Sequence, residues 1–142
     1  MILGLTGTRH NLTPAQVAWL RTQLAGAEEL HHGACVGADA AAHHTARTLG
    51  VPVVVHPPID ARLMMPADPA VEWLPAKPYL DRNRDIVDAA EHLLALPDGP
   101  ERHSGGTWYT VRYAWGRGKV IRICYPDGTV AVRGVVRPAE VQ

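Results

Sequence analysis

Three short glycine-bearing segments and one arginine cluster carry most of the groups in this sequence that could do chemistry. Thr6-Gly7-Thr8-Arg9 follows a short apolar run. Gly33-Ala34-Cys35-Val36-Gly37-Ala38-Asp39 leads into an alanine-rich stretch, and Ser104-Gly105-Gly106-Thr107 opens an aromatic one. Glycine lets backbone N–H groups approach an anion closely, and a helix starting at such a loop adds the positive end of its dipole. A single glycine at a strand-to-helix turn is also ordinary turn chemistry. Three such loops on one sheet edge point to a phosphate-bearing ligand, above all a nucleotide. Backbone amides at Gly7-Thr8, Gly37-Ala38 and Gly105 to Thr107 are expected to hold phosphate. Arg9 and either Arg82 or Arg84 are expected to supply charge. Asp39, in the second loop, is expected to cap its helix or hold the loop ahead of touching the ligand.

The cluster is Asp81-Arg82-Asn83-Arg84-Asp85, at the start of a helix. Arginines in a first helical turn oppose the macrodipole, so local stability does not account for two of them. A guanidinium aimed at a phosphate or carboxylate would; a solvated, salt-bridged face is the plain alternative. Trp73 is a candidate to cover a base or simply to anchor its loop. Cys35 sits where a helix N-terminus can lower a thiol pKa, but small-residue packing explains it as well. The histidine doublets His31-His32 and His43-His44 point apart on strand or helix. No metal-ligand spacing occurs, so neither a metal nor any other cofactor is expected.

The elements that must position these groups alternate between strand and helix. The pattern predicts strands over 1–6, 29–32, 51–56, 92–96, 120–124 and 129–135. It predicts helices starting at Thr13-Pro14, over 40–49, over 79–90 and over 107–115. Val17, Leu20 and Leu24 share one face of the first helix. Pro57 to Pro78 contains six prolines in 22 residues, which no helix survives. Asp127-Gly128 is a hairpin turn that makes the last strand antiparallel. The expected architecture is a three-layer α/β sandwich with a mostly parallel sheet and an antiparallel C-terminal edge. A single domain over 1–136 with a frayed tail over 137–142 follows.

Composition sets limits on function. The chain has 142 residues, with 14 Lys+Arg against 14 Asp+Glu, and a pI near 7.1. A net charge of zero argues against binding by broad neutralisation of phosphates, though a pocket of amides and a few arginines needs no net charge. Apolar residues at 46% are enough for a core. Two cysteines make no disulfide framework, and no apolar stretch approaches a membrane span. With no secretory leader evident, a cytoplasmic, non-membrane protein is expected.

Taken together, these motifs resemble the SLOG superfamily, the Rossmann-like group containing DNA-processing protein A and the LOG-type cytokinin-activating phosphoribohydrolases. The segment from Gly33 to His43 resembles the Gly-x-x-x-Gly-x-Asp-x-x-Ala-His signature of the DNA-processing branch. Arg82-Asn83-Arg84-Asp85-Ile86-Val87 resembles the Arg-Asn-Arg-acid-apolar segment of small bacterial and phage members. Ser104-Gly105-Gly106-Thr107 resembles a shortened form of the Gly-Gly-x-Gly-Thr phosphate loop. The resemblance covers about residues 1–123. It implies a Rossmann-like fold, a nucleotide-type pocket over the three loops, and homo-oligomers. LOG-type hydrolases carry a catalytic Glu where this chain has Thr110, while Arg82 and Asp85 match that family's other Arg and acid. Nucleotide N-glycosidase activity through Arg82 and Asp85 is therefore one alternative to simple binding. Single-stranded nucleic acid stacking on Trp108, Tyr109, Tyr113 and Trp115 is the other, although tyrosines four apart on a helix more often pack than stack on bases.

Overall fold

The computed structural model describes residues 1–134. In chain order the elements are β1 (Ile2–Gly7), α1 (Pro14–Leu24), β2 (Glu29–His32), α2 (Ala38–Leu49), β3 (Val53–Val55) and β4 (Glu72–Trp73). They continue with α3 (Tyr79–Ala89), β5 (His92–Leu96), α4 (Gly106–Gly116), β6 (Val120–Cys124) and β7 (Val130–Arg133). One seven-stranded sheet has the order β4-β3-β2-β1-β5-β6-β7, parallel throughout except for the β6–β7 pair. The expected α/β sandwich with an antiparallel edge is what forms. The expected last residue of β7, Val135, and the tail lie outside the described residues.

Strand alternation divides the core between the two faces of the sheet. Leu94 and Leu96 of β5 join Leu3, Leu5, Leu20, Leu24 and the alanines of α2 on one side. Leu93 and Ala95 join Val87, Trp108, Val111, Ala114, Ile121 and Ile123 on the other. α1 and α2 thus cover one face, and α3 and α4 the other. Among the described residues no helix is long and apolar enough to cross a membrane.

Three local readings are corrected. α1 begins with the expected Thr13 cap and Pro14, and Gln16 completes a capping box. Val17, however, is exposed, and Gln16 takes the buried place because its amide donates to the carbonyls of Pro97 (2.8 Å) and Cys124 (3.0 Å). The strand expected over 51–56 is shorter, and it is not the last on its side. Inside the proline-rich segment, Glu72 and Trp73 pair with Val54 and Val55 to add the edge strand β4. Trp73 anchors this segment: its Nε1–H donates to the Asp68 carbonyl at 2.8 Å.

Candidate ligand site

The chain runs outward from β1 through β2 and β3 to β4, then returns to the other side of β1 as β5. At such a reversal the loops leaving the two neighbouring strands splay apart and leave a crevice beyond their carboxyl ends. A cleft of about 250 Å³ lies there. It is lined by Gly7 to His10 after β1, by Pro97, Asp98 and Arg102 after β5, and by Gly105 to Trp108 where α4 starts. A second cleft of about 740 Å³ adjoins it, lined by Cys35, Pro58, Ile59, Asp60, Arg62, Leu63 and Pro78. Arg9 and Tyr79 line both. The Arg9 guanidinium lies 5.1 Å from the Tyr79 ring centre, and that of Arg82 lies 4.7 Å from it. Tyr79 is thus a wall between the clefts held by two cations. Its phenol lies against Gly106, where a Cβ would collide with it.

The smaller cleft suits an anion through α4. This helix starts at Gly105 (φ 100°) without a side-chain cap. The first N–H groups of a helix have no intrahelical acceptor and carry its positive pole. Arg9, His10 and Arg102 stand around them. Arg102 is restrained by Asp98 at 2.9 Å, so a bound anion would compete with a carboxylate for it. The sequence motifs did not single out Tyr79, Arg102 or Asp98. Arg102 lies two residues before the Ser104 loop, so its position in the chain was the available signal.

The other two loops mostly serve each other. The Thr8 N–H donates to the Leu96 carbonyl at 2.9 Å, while its hydroxyl accepts from the His10 N–H at 3.0 Å. The Ala38 N–H donates to the Thr8 carbonyl at 2.9 Å. Gly37 (φ 85°) comes so close to Thr8 and Arg9 that a Cβ there would strike their backbone. Asp39 holds its own loop, accepting from the Cys35 N–H at 3.2 Å. Burial pushes the Asp39 carboxyl up to about 6 against the opposing pull of Arg82, the Cys35 and Gly33 amides and Arg9. Burial and then Asp39 also push the Cys35 thiol above its ordinary value. Such a thiol is protonated at neutral pH and a poor nucleophile.

No family model matches the chain, and none of the curated proteins matches it. Solved structures do resemble it. A molybdenum cofactor binding protein from the phototrophic bacterium Rippkaea orientalis is similar with a TM-score of 0.67 and 19% identity, over 87% of this chain and 76% of that one. The structural-genomics target TM1055 is similar with a TM-score of 0.63 and 18% identity, over 84% of this chain and 71% of that one. The likeness is one of fold. It agrees with the Rossmann-like architecture seen in the sheet.

On this fold the arginine cluster divides. Arg82 is buried, and its guanidinium donates to the carbonyls of Gly33 and His56 and to Asn83 Oδ1, also buried. It staples the ends of β2 and β3 to α3. Gly33 admits it because a Cβ there would occupy the guanidinium's place. Arg84 instead lies on the surface, its Nε donating to Tyr109 Oη at 2.8 Å and its guanidinium 5.7 Å from the Tyr113 ring centre. Asp85 pairs with Lys77 at 2.6 Å. Thr110 is buried and donates to the Gly106 carbonyl at 2.8 Å. Ser104 is exposed and does not line the smaller cleft.

Proposed function

We infer that this chain binds a nucleotide-derived ligand, as a compact SLOG-type protein. Its phosphate sits in the smaller cleft on the first amides of α4, beside Arg9 and Arg102. Its organic part passes Tyr79 into the larger cleft, against Pro58, Ile59 and Leu63. The observation that carries this reading is the coincidence of the sheet's reversal point with an uncapped, glycine-led helix start. The description of one structural neighbour as a cofactor-binding protein is in keeping with a small ligand on this architecture.

The surroundings of the residues involved favour binding over N-glycoside cleavage. Cleavage asks for a carboxyl group beside the scissile bond. Asp85 is tied to Lys77, Thr110 spends its hydroxyl on its own helix, and the carboxylates that line the clefts, Asp98 and Asp60, are paired with Arg102 and Arg62. Nucleic-acid stacking is disfavoured too, because Tyr109 and Tyr113 face Arg84 and Asp88 of α3. The test is calorimetric titration with adenosine 5′-monophosphate, followed by chromatography of the mixture. Saturable 1:1 binding without free adenine supports the reading. Release of adenine would establish the hydrolase instead, and no heat with any nucleoside mono- or diphosphate would refute nucleotide binding.

A further inference from the structure

Four histidines lie in two buried pairs, one on each side of β2. On one side His31 Nδ1 meets His56 Nε2 at 2.7 Å, with His31 Nε2 on Glu29 at 2.5 Å. On the other, His32 Nε2 meets His43 Nδ1 at 2.9 Å, and His43 Nε2 meets Asp68 Oδ2 at 2.8 Å. The ends of this second chain fix its direction. The Ala34 N–H can only donate, and it does so to His32 Nδ1 at 3.0 Å, so a neutral His32 carries its proton on Nε2. The ionised Asp68 can only accept, so His43 donates from Nε2. His32 therefore donates to His43, and every bond runs from Ala34 towards Asp68 with both rings neutral.

This chain joins the two walls of the larger cleft. Ala34, at φ 64°, holds a left-handed backbone that a non-glycine residue adopts only under constraint, and it turns the chain into Cys35. Asp68 lies in the proline-rich strap whose Pro58, Ile59, Asp60, Arg62 and Leu63 line the cleft. We propose that Asp68, His43 and His32 form a proton-sensitive link running from the strap through α2 to the Gly33–Ala34 turn, and that protonation of His43 at Nδ1 parts it from His32 while its bond to Asp68 holds.

A proton on His43 Nδ1 would face the Nε2–H of His32. His32 could yield only by moving its proton to Nδ1, where it would face the Ala34 N–H. One bond of the chain fails wherever the proton sits. The groups facing His43 are His32 from β2, Asp68 from the strap, and Arg47 from α2, which reaches Asp68 Oδ2 at 3.2 Å. Behind His32 stand His31, His56 and Arg82. Asp68 attracts the imidazolium, so it is the contact with His32 that parts; the His43 ring shifts towards Asp68, while the strap keeps its backbone bonds to the turn, from the Met65 N–H to the Ala34 carbonyl (2.7 Å) and from the Val36 N–H to the Leu63 carbonyl (2.8 Å). Burial, aided by His43, His56, Arg82 and His31, holds His32 down to about 3, so His32 does not take the proton instead.

The test uses the full chain labelled with 15N-histidine and 5-fluorotryptophan, without ligand, so that its failure leaves the nucleotide reading standing and the reverse also holds. At pH about 8 both His32 and His43 are expected as Nε2–H tautomers. As the pH is lowered, the Trp73 fluorine signal, assigned with Trp73→Phe, should move together with the ring 15N signals of His43. In His43→Gln, whose amide can accept from His32 and donate to Asp68, that signal should stay put. Asp68→Asn, a second and half-exposed site, removes the carboxylate that attracts the imidazolium, so the shared midpoint should fall. An Nδ1–H tautomer of either ring would overturn the link. So would a Trp73 signal that ignores the His43 titration, or a midpoint unmoved in Asp68→Asn.

Discussion

The guanidinium of Arg82 donates to the carbonyl oxygen of Gly33, joining α3 to the end of β2 from beneath the ligand loops. The same side chain serves the His56 carbonyl at 3.2 Å and Asn83 at 2.8 Å. A lysine has no planar fork to reach all three, and the buried carbonyls would lose their donor. Arg82→Lys should therefore lower unfolding stability by about 2–4 kcal/mol in urea titration. Stability unchanged alongside lost nucleotide affinity would mean that Arg82 works on the ligand directly.

Arg9 takes the opposite part. It is exposed and lines both clefts. Arg9→Ala should weaken adenosine 5′-monophosphate binding by about 10- to 100-fold, the scale of one charge-assisted contact. The urea midpoint should move little. Calorimetry and urea titration on the same preparation separate the two effects.

Gly106 keeps the wall between the clefts in place. A methyl group there would displace the Tyr79 phenol, whereas Gly99 has open space around it. Gly106→Ala should reduce nucleotide affinity and alter the tyrosine signals in near-ultraviolet circular dichroism. Gly99→Ala should leave both unchanged.

These placements show what the chain reveals before it folds. The α/β alternation, the hairpin at Asp127-Gly128 and the Thr13-Pro14 helix start depend on local chemistry and are legible in the sequence. So is the third loop, because a glycine-led helix start is a local signal. The role of Arg82 is not, since it depends on which carbonyls at the ends of β2 and β3 need a donor, 49 and 26 residues away. β4 was hidden for a similar reason: two residues become a strand only because Val54 and Val55 offer them an edge. The histidines carry no spacing signal because their partners arrive from α2, β3 and the strap.

Buried imidazoles also make stability depend on pH. Burial lowers His32 to about 3, and burial followed by His31 lowers His56 to about 4. Below about pH 6.5 the unfolded chain takes up these protons and the native state does not, so acidification favours unfolding. Asp39, raised to about 6, works the other way between about pH 4 and 6, where the native state holds its proton and the unfolded state does not. Two groups oppose one, so stability should fall on going from pH 7.5 to pH 5, by on the order of 2 kcal/mol. Urea titrations at the two pH values check the sign. His56→Asn should make the fall shallower.

The most direct test of the account is an amide chemical-shift map of the 15N-labelled protein titrated with adenosine 5′-monophosphate. Phosphate held at the start of α4 predicts the largest, saturable shifts at Gly105, Gly106, Thr107 and Arg9, with smaller ones at Ile59 and Leu63. Largest shifts at Tyr109, Tyr113 and Trp115, or none that saturate, would contradict a nucleotide seated in the cleft between β1 and β5.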